Sequence, residues 1–250
     1  MADEVLVTRD GAVSTLVLNR AAKRNALTNE MYESLTAALH AAANDDEIGC
    51  VVIRGEGETF TAGNDIMDFA MRPPVGKESP VFLFLETLIR FEKPVVIGVH
   101  GNAVGIGTTM LFHADLVYAS PSAVFALPFV DLALVPEAAS SYLVPRTMGF
   151  AQANRLLMLG ERFDAPTALA HGMISGIVDA AELSAHIAQI GATLASKPRG
   201  AMAQTKRLMR RDHDKLMALV EHEGAIFAEQ LRSDEARAAF MAFMSRGSKG

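Results

Sequence analysis

Two glycine-rich turns and one carboxylate are the residues of this chain best placed to do chemistry. A continuous apolar run, Val95 to Val99, meets the turn His100-Gly101-Asn102, and Gly105-Ile106-Gly107 then opens the apolar segment Thr108 to Phe112. Strand, glycine turn and helix in that order leave backbone N–H groups unpaired at a helix N-terminus, where the helix dipole adds positive potential. Such groups hold an anion or a developing oxyanion. A turn needed only for tight packing explains the same residues, and this segment alone favours it. A second turn, Thr59-Phe60-Thr61-Ala62-Gly63-Asn64-Asp65-Ile66, follows the apolar run Cys50 to Ile53. Two such turns can aim two N–H groups at one oxygen. The carboxylate is Glu137, inside the otherwise apolar run Leu132 to Tyr142. An acid in apolar surroundings is a better base than one in water. Pro136-Glu137 is equally a common way to open a helix, and the residues alone favour that.

Other reactive residue types fit plainer roles. The seven histidines show no pair at metal-ligand spacing on one helix face. His222, between Glu221 and Glu223, lacks the second histidine of a zinc motif. His100 and His113 flank the glycine turn and read as packing or turn residues. Ser140-Ser141 has no G-x-S-x-G elbow. Asp65 and Asp68 read as helix-start residues. No complete G-x-G-x-x-G and no phosphate-binding P-loop is present.

The elements that would position these residues follow from pattern. Val5–Val7 and Val13–Leu18 around Asp10-Gly11 predict a hairpin. Thr28 caps a helix carrying Met31, Leu35, Leu39 and Ala42 at helical spacing. Between them Asn19 to Leu27 is a basic loop. Arg72 to Ser79 reads as a mobile surface loop, and Ser79-Pro80 starts a helix with Phe82, Leu85, Leu88 and Ile89 on one face. Leu116–Ala119 and Ala123–Ala126 read as strands, and Val135–Val144 as the start of a helix. Ala151–Leu159 is helical up to Gly160, Asp164 caps a short helix ending at Gly172, and Ile177-Val178 is a last strand segment. From Ala180 the chain is nearly all helix, broken at Lys197-Pro198. Leu216, Leu219, Val220, Ile226, Phe227, Phe240 and Phe243 read as core. Lys206-Arg207 and Arg210-Arg211 form a basic stripe, read as a solvated face, with a phosphate contact as the functional alternative.

Composition sets the outer bounds. At 250 residues and 50% hydrophobic content the chain can build one large core, with or without an appendage. A net charge of −6 argues against nonspecific nucleic-acid binding. The single cysteine, Cys50, excludes a disulfide framework and sits in an apolar run, as a small buried hydrophobe would. No signal peptide is visible in MADEVLV, and no apolar run reaches the length of a membrane span. Ser248-Lys249-Gly250 is near a peroxisomal address but ends in glycine. A cytoplasmic protein is the default expectation.

The pair "FTAGNDI" and "KPVVIGVHGNAVGIG", in this order and spacing, resembles the crotonase (enoyl-CoA hydratase/isomerase) superfamily along nearly the whole chain. The resemblance implies an α/β, ClpP/crotonase-like spiral of ββα units. The loose recurrence of strand, small-residue turn and helix is compatible with that. It implies a core with the CoA and active sites over residues 1–194 and a C-terminal helical trimerisation region over 195–250. Trimers, often paired into hexamers, are implied with it. The "K-x-N-A-L" loop makes Lys23, Arg24 and Asn25 candidate CoA contacts, although Ala21 stands where the family often has proline. Ala62, Gly63, Asn64, Asp65 and Ile66 would hold the CoA adenine and pantetheine through their backbone.

The resemblance also assigns roles in the reaction. The N–H groups of Ala62 and Ile106 would bind the thioester oxygen, with Ile106 standing where the family usually has glycine. The two hydratase glutamates fall on Thr109 and Phe129, neither of which can transfer a proton, so hydration is not expected. Around Glu137 the sequence resembles the "P-E-x-x-S-S-Y" of monofunctional and peroxisomal-type delta-3, delta-2-enoyl-CoA isomerases, which reverses the reading of Glu137 as a mere helix start. The activity implied is migration of a 3-enoyl-CoA double bond to the 2-position in fatty acid beta-oxidation, with Glu137 as the one base. CoA would enter as part of the acyl-CoA substrate, with no separate cofactor and no metal. Phe125 and Phe129 would help exclude water. The alternatives are a dienoyl-CoA or epoxy-CoA isomerase, a thioesterase, or a non-catalytic acyl-CoA binder.

Overall fold

Alternation along the strands builds two cores, one on each face of the main sheet. The structure is a computed structural model and describes residues 3–74 and 76–247; the terminal tripeptide considered as an address lies outside them. The chain opens with a hairpin of β1 (Val5–Asp10) and β2 (Val13–Leu18), then α1 (Asn29–Asn44), whose Thr28 cap accepts the Met31 N–H. Next come β3 (Cys50–Gly55), α2 (Ile66–Met71), α3 (Pro80–Arg90) and β4 (Val95–Val99). They are followed by β5 (Asn102–Val104), α4 (Ile106–Thr109), β6 (Leu116–Ala119) and β7 (Val124–Ala126). Helices α5 (Ser140–Met148) and α6 (Phe150–Leu157) lead to β8 (Phe163–Asp164), α7 (Ala165–Ala170) and β9 (Gly176–Ile177). The chain closes with α8 (Ala180–Ala195), α9 (Arg199–Met209), α10 (His213–Leu231) and α11 (Asp234–Gly247).

A six-stranded sheet runs β1-β2-β3-β4-β6-β9, parallel except for the hairpin, and a three-stranded sheet runs β5-β7-β8. On β3 and β4, Val51, Ile53, Val95, Ile97 and Val99 enter the main core with α1 and α3, while Cys50, Val52 and Val96 meet Leu183 and Ile187 of α8. Period-two alternation on a sheet covered on both faces makes these strands continuous apolar runs. Gly98 lets α8 pack close, since a Cβ there would lie 2.6 Å from Ile187 Cδ1 and displace that side chain. The main core also takes in Met217, Val220 and Phe227 of α10, so the C-terminal helices share it with the sheet.

Several sequence expectations need correction. The segment after Gly107 is α-helical only to Thr109 and continues as a 3₁₀ turn over Met110–His113. The helix expected from Val135 starts at Ser140, because Ala138 and Ala139 adopt left-handed backbone (φ 57° each). Of the C-terminal apolar residues, Ile226 is exposed and the Phe243 side chain lies outside the described residues. Only part of the basic stripe is a solvated face: Arg207 and Arg211 are exposed, but Lys206 and Arg210 turn inward. Lys206 is buried, donates to Asp115 at 2.6 Å and to the Lys93 carbonyl at 2.7 Å, and Arg210 pairs with the same aspartate at 3.2 Å. Burial of Cys50 pushes its thiol up to about 12, as expected of an inert core cysteine.

Candidate active site

The two glycine turns pack directly on each other. Thr61 bridges Ala103 in parallel, and a methyl group on Gly63 would lie 2.7 Å from the Val104 carbonyl oxygen. Gly63 stands at φ +89°, where a side chain would be strained, and it turns the backbone round. Before it, the Ala62 N–H donates to the Arg24 carbonyl at 2.9 Å. After it, Gly63 C=O and Asp65 N–H bond Leu27 at 2.8 Å each, so in this parallel bridge the N–H of Asn64 faces the other way. Ala62 is therefore corrected: its N–H already has an acceptor. The Asn64 N–H, two residues on, donates to no described acceptor. The same holds for Ile106, at the first position of α4, where no intrahelical acceptor exists.

Asn64 and Glu137 line one cavity of about 450 Å³. Its walls are apolar: Phe69 of α2, Val81, Phe82 and Leu85 of α3, and Val220 and Phe227 of α10. Lys77, Glu221 and Arg232 also border it, and Lys77 pairs with Glu221 at 2.7 Å. Phe125 and Phe129, expected to help exclude water, are buried in the core and are not on the cavity lining, Phe125 being stacked on Phe163.

Glu137 stands three residues ahead of α5 and is not in a helical first turn. The residue is half-buried and lines the cavity. Burial pushes its carboxyl up to about 8; the Thr109 hydroxyl, donating to Oε1 at 2.6 Å, pulls it down, and the Glu223 charge pushes it up. Burial wins over the hydrogen bond. Two consecutive alanines in left-handed backbone cost roughly 1–2 kcal/mol each, so the surroundings must hold this bend.

Four residues at the site carry no signal that the sequence reading used. Thr109 was recognised only as a lost glutamate, yet it is the hydroxyl partner of Glu137. Tyr32, fully buried on α1, donates to Asn64 Oδ1, and burial together with the Glu137 charge holds its phenol well above the usual range. His113 and Glu223 reach the backbone after Glu137. The cue available in sequence was a tyrosine, a histidine and a glutamate at otherwise apolar helical positions.

The expected CoA contacts divide. Lys23 and Arg24 are exposed at the end of a 3₁₀ turn and make no described ion pair. Asn25 is corrected: it is fully buried and its side chain accepts from Arg20 N–H and donates to the Glu56 and Thr59 carbonyls, all within 2.8 Å. Gly63 and Asp65 commit both backbone groups to the fold, and Asp65 also pairs with Arg20 at 2.7 Å and caps α2. Ile66 opens α2 and is half-buried. Among the described residues no group of three or more His, Cys, Asp or Glu could hold a metal, and no helix is long and apolar enough to cross a membrane.

The sequence profile of the enoyl-CoA hydratase/isomerase family matches residues 8–249. Enoyl-CoA delta isomerase 2 of Rattus norvegicus is 35% identical over 252 residues, covering 98% of this chain and 64% of that protein. The chain thus spans less than two-thirds of that relative's length. The 1,2-epoxyphenylacetyl-CoA isomerase of Escherichia coli (strain K12) is 33% identical over 79% of this chain and 78% of its own. A crystal structure of an enoyl-CoA hydratase/isomerase from Pseudoalteromonas atlantica T6c superposes with a TM-score of 0.93 at 39% identity, covering 98% of both chains.

Proposed function

The chain belongs to the enoyl-CoA hydratase/isomerase family, and from that premise we propose that it is an enoyl-CoA isomerase that moves a 3-enoyl-CoA double bond to the 2-position with Glu137 as its one base. The observation that carries this reading is Glu137 in an apolar cavity also lined by Asn64, whose N–H has no described acceptor, while the cavity's other carboxylate, Glu221, is paired with Lys77. The thioester oxygen sits between the N–H groups of Asn64 and Ile106, which stabilise the dienolate as it forms. One such donor contributes about 3–4 kcal/mol to the transition state. Ionised Glu137 takes a C2 proton, and the neutral acid returns it to C4. Both carbons are within reach of one carboxylate because they lie two bonds apart on one face. Thr109, in place of a hydratase glutamate, orients this carboxylate and supplies no second acid. CoA enters as part of the substrate, with Lys23 and Arg24 at its phosphates.

The relatives named as delta isomerases support this reading over hydration. Two substrates test it. With trans-3-hexenoyl-CoA the absorbance of the conjugated thioester rises; with trans-2-hexenoyl-CoA it stays constant. Loss of absorbance with the second substrate is hydration and contradicts the proposal. Ring opening of an epoxy acyl-CoA is the second reading, favoured by the polar Tyr32–Asn64 pair at the cavity wall and by the E. coli relative.

The assembly is a homotrimer or a hexamer of such trimers. The exposed apolar side chains Val130, Phe150, Met158 and Leu159, on and beside α6, support a face covered by another copy. Light scattering then returns three or six times 26.8 kDa, and a 26.8 kDa particle contradicts it.

A further inference from the structure

We propose that His113 and Glu223 are positioning residues that clamp the peptide unit after Glu137 from its two ends and so aim the Glu137 carboxylate into the cavity. This rests on the reading of Glu137 as the base. The peptide joining Ala138 to Ala139 lies between two left-handed residues, neither of them glycine. Its carbonyl oxygen, on Ala138, is 2.9 Å from His113 Nε2. Its N–H, on Ala139, donates to Glu223 Oε2 at 2.6 Å. Both side chains are buried, His113 at 1% and Glu223 at 5% exposure.

The chemistry of each end is determined by its partner. A carbonyl only accepts, so the imidazole proton is on Nε2. The other nitrogen, Nδ1, has no described partner, and burial holds His113 neutral down to about 4. Glu223 receives three donors: the Ala139 N–H, and the N–H and hydroxyl of Ser141. Burial pushes the Glu223 carboxyl up and these three donors pull it down; in the ionised form both oxygens serve as acceptors. A glutamine at this place turns its NH₂ toward one N–H whichever way it is flipped. Each clamp residue comes from a different element: His113 from the 3₁₀ turn that continues α4, Glu223 from α10. Val220, Glu221, Gly224 and Phe227 of the same helix line the cavity, so the helix that walls the cavity also holds the loop that carries the base.

The test compares kcat and KM of the purified protein on trans-3-hexenoyl-CoA with those of His113→Leu, His113→Gln and Glu223→Gln, each with its thermal melt. The clamp predicts a tenfold or greater fall in kcat for His113→Leu and Glu223→Gln, with KM within about threefold. It predicts that His113→Gln, which keeps a donor in reach of the Ala138 carbonyl, recovers most of the loss. Folded variants with unchanged kcat overturn it, as does a lowered melting temperature with normal kcat, the mark of a purely structural role. Should Glu223→Gln not fold, Ser141→Ala removes one of the three donors and is expected to lower kcat threefold or more; no loss overturns the clamp. A second readout is independent of turnover. The carbon-13 titration of the Glu137 carboxyl, which Thr109, Tyr32 and Glu223 face, moves toward the ordinary carboxylate range in Glu223→Gln. An unmoved titration contradicts the clamp, whereas an inactive wild type with a moved titration sinks the isomerase reading alone.

Discussion

At the scale of single residues, Glu137 is governed by a contest between burial and one hydrogen bond. Its carboxyl sits at about 8, so at pH 7 only about a tenth of it is ionised. As a general base it must be ionised, so kcat/KM rises with pH and levels off above about 8. Thr109 holds it down by donating to the charged form. Thr109→Val removes that donor and moves the rise in kcat/KM about one unit higher. A pH–rate profile of the variant checks this, and an unmoved profile refutes the Thr109 role. The type and place of Glu137 are legible in the sequence, since a lone acid in an apolar run is conspicuous. Its partners are not. Thr109 reads as an absence, His113 as a packing or turn residue, and Tyr32 and Glu223 as helix residues, because side chains on separate elements meet only through tertiary packing.

At the scale of elements, strands and helices follow from apolar periodicity. The errors cluster where backbone chemistry departs from it. Gly63 reverses the direction its loop faces, which moves the free N–H from Ala62 to Asn64; residue type says that a turn is present, not which N–H it releases. Ala138 and Ala139 delay α5, and no propensity marks alanine as left-handed. Lys206 on α9 is the third case. Charge periodicity reads as a solvated face, yet Asp115, before β6, draws the lysine inward. Lys206→Met leaves the half-buried Asp115 with Arg210 and the Val95 N–H. Removing one partner of a buried pair costs about 3–5 kcal/mol, and the remaining arginine puts the loss near the lower figure. Denaturant unfolding measures it. CoA-ester binding is expected to stay unchanged, since Lys206 lies in the core; weakened binding instead points to the phosphate role.

At the scale of the whole molecule, the cavity burdens the fold with an acid that resists ionising. The unfolded chain ionises Glu137 near its ordinary 4.5 and the folded one near 8. Between those values the unfolded state binds fewer protons, so this group's contribution is complete below 4.5 and is lost as pH rises toward 8. Glu137→Gln removes that dependence. Its unfolding free energy gains on the wild type by up to about 1.4 kcal/mol per pH unit across this window. The gain is constant above it. Melts of the two proteins at several pH values give the difference, and parallel curves contradict the raised carboxyl. The spiral core was readable in the sequence only through the family resemblance that two motifs in a fixed order carry. The cavity was not, because its wall needs α2, α3 and α10 together, and α10 lies more than 100 residues beyond the turns.

The claim that Glu137 is the one base is tested most directly by the initial rate of conjugation of trans-3-hexenoyl-CoA at pH 8, wild type beside Glu137→Gln. The account predicts a kcat lower by about 10²–10⁴ in the variant, with acyl-CoA binding retained. A variant that conjugates the double bond within a few-fold of the wild-type rate contradicts it.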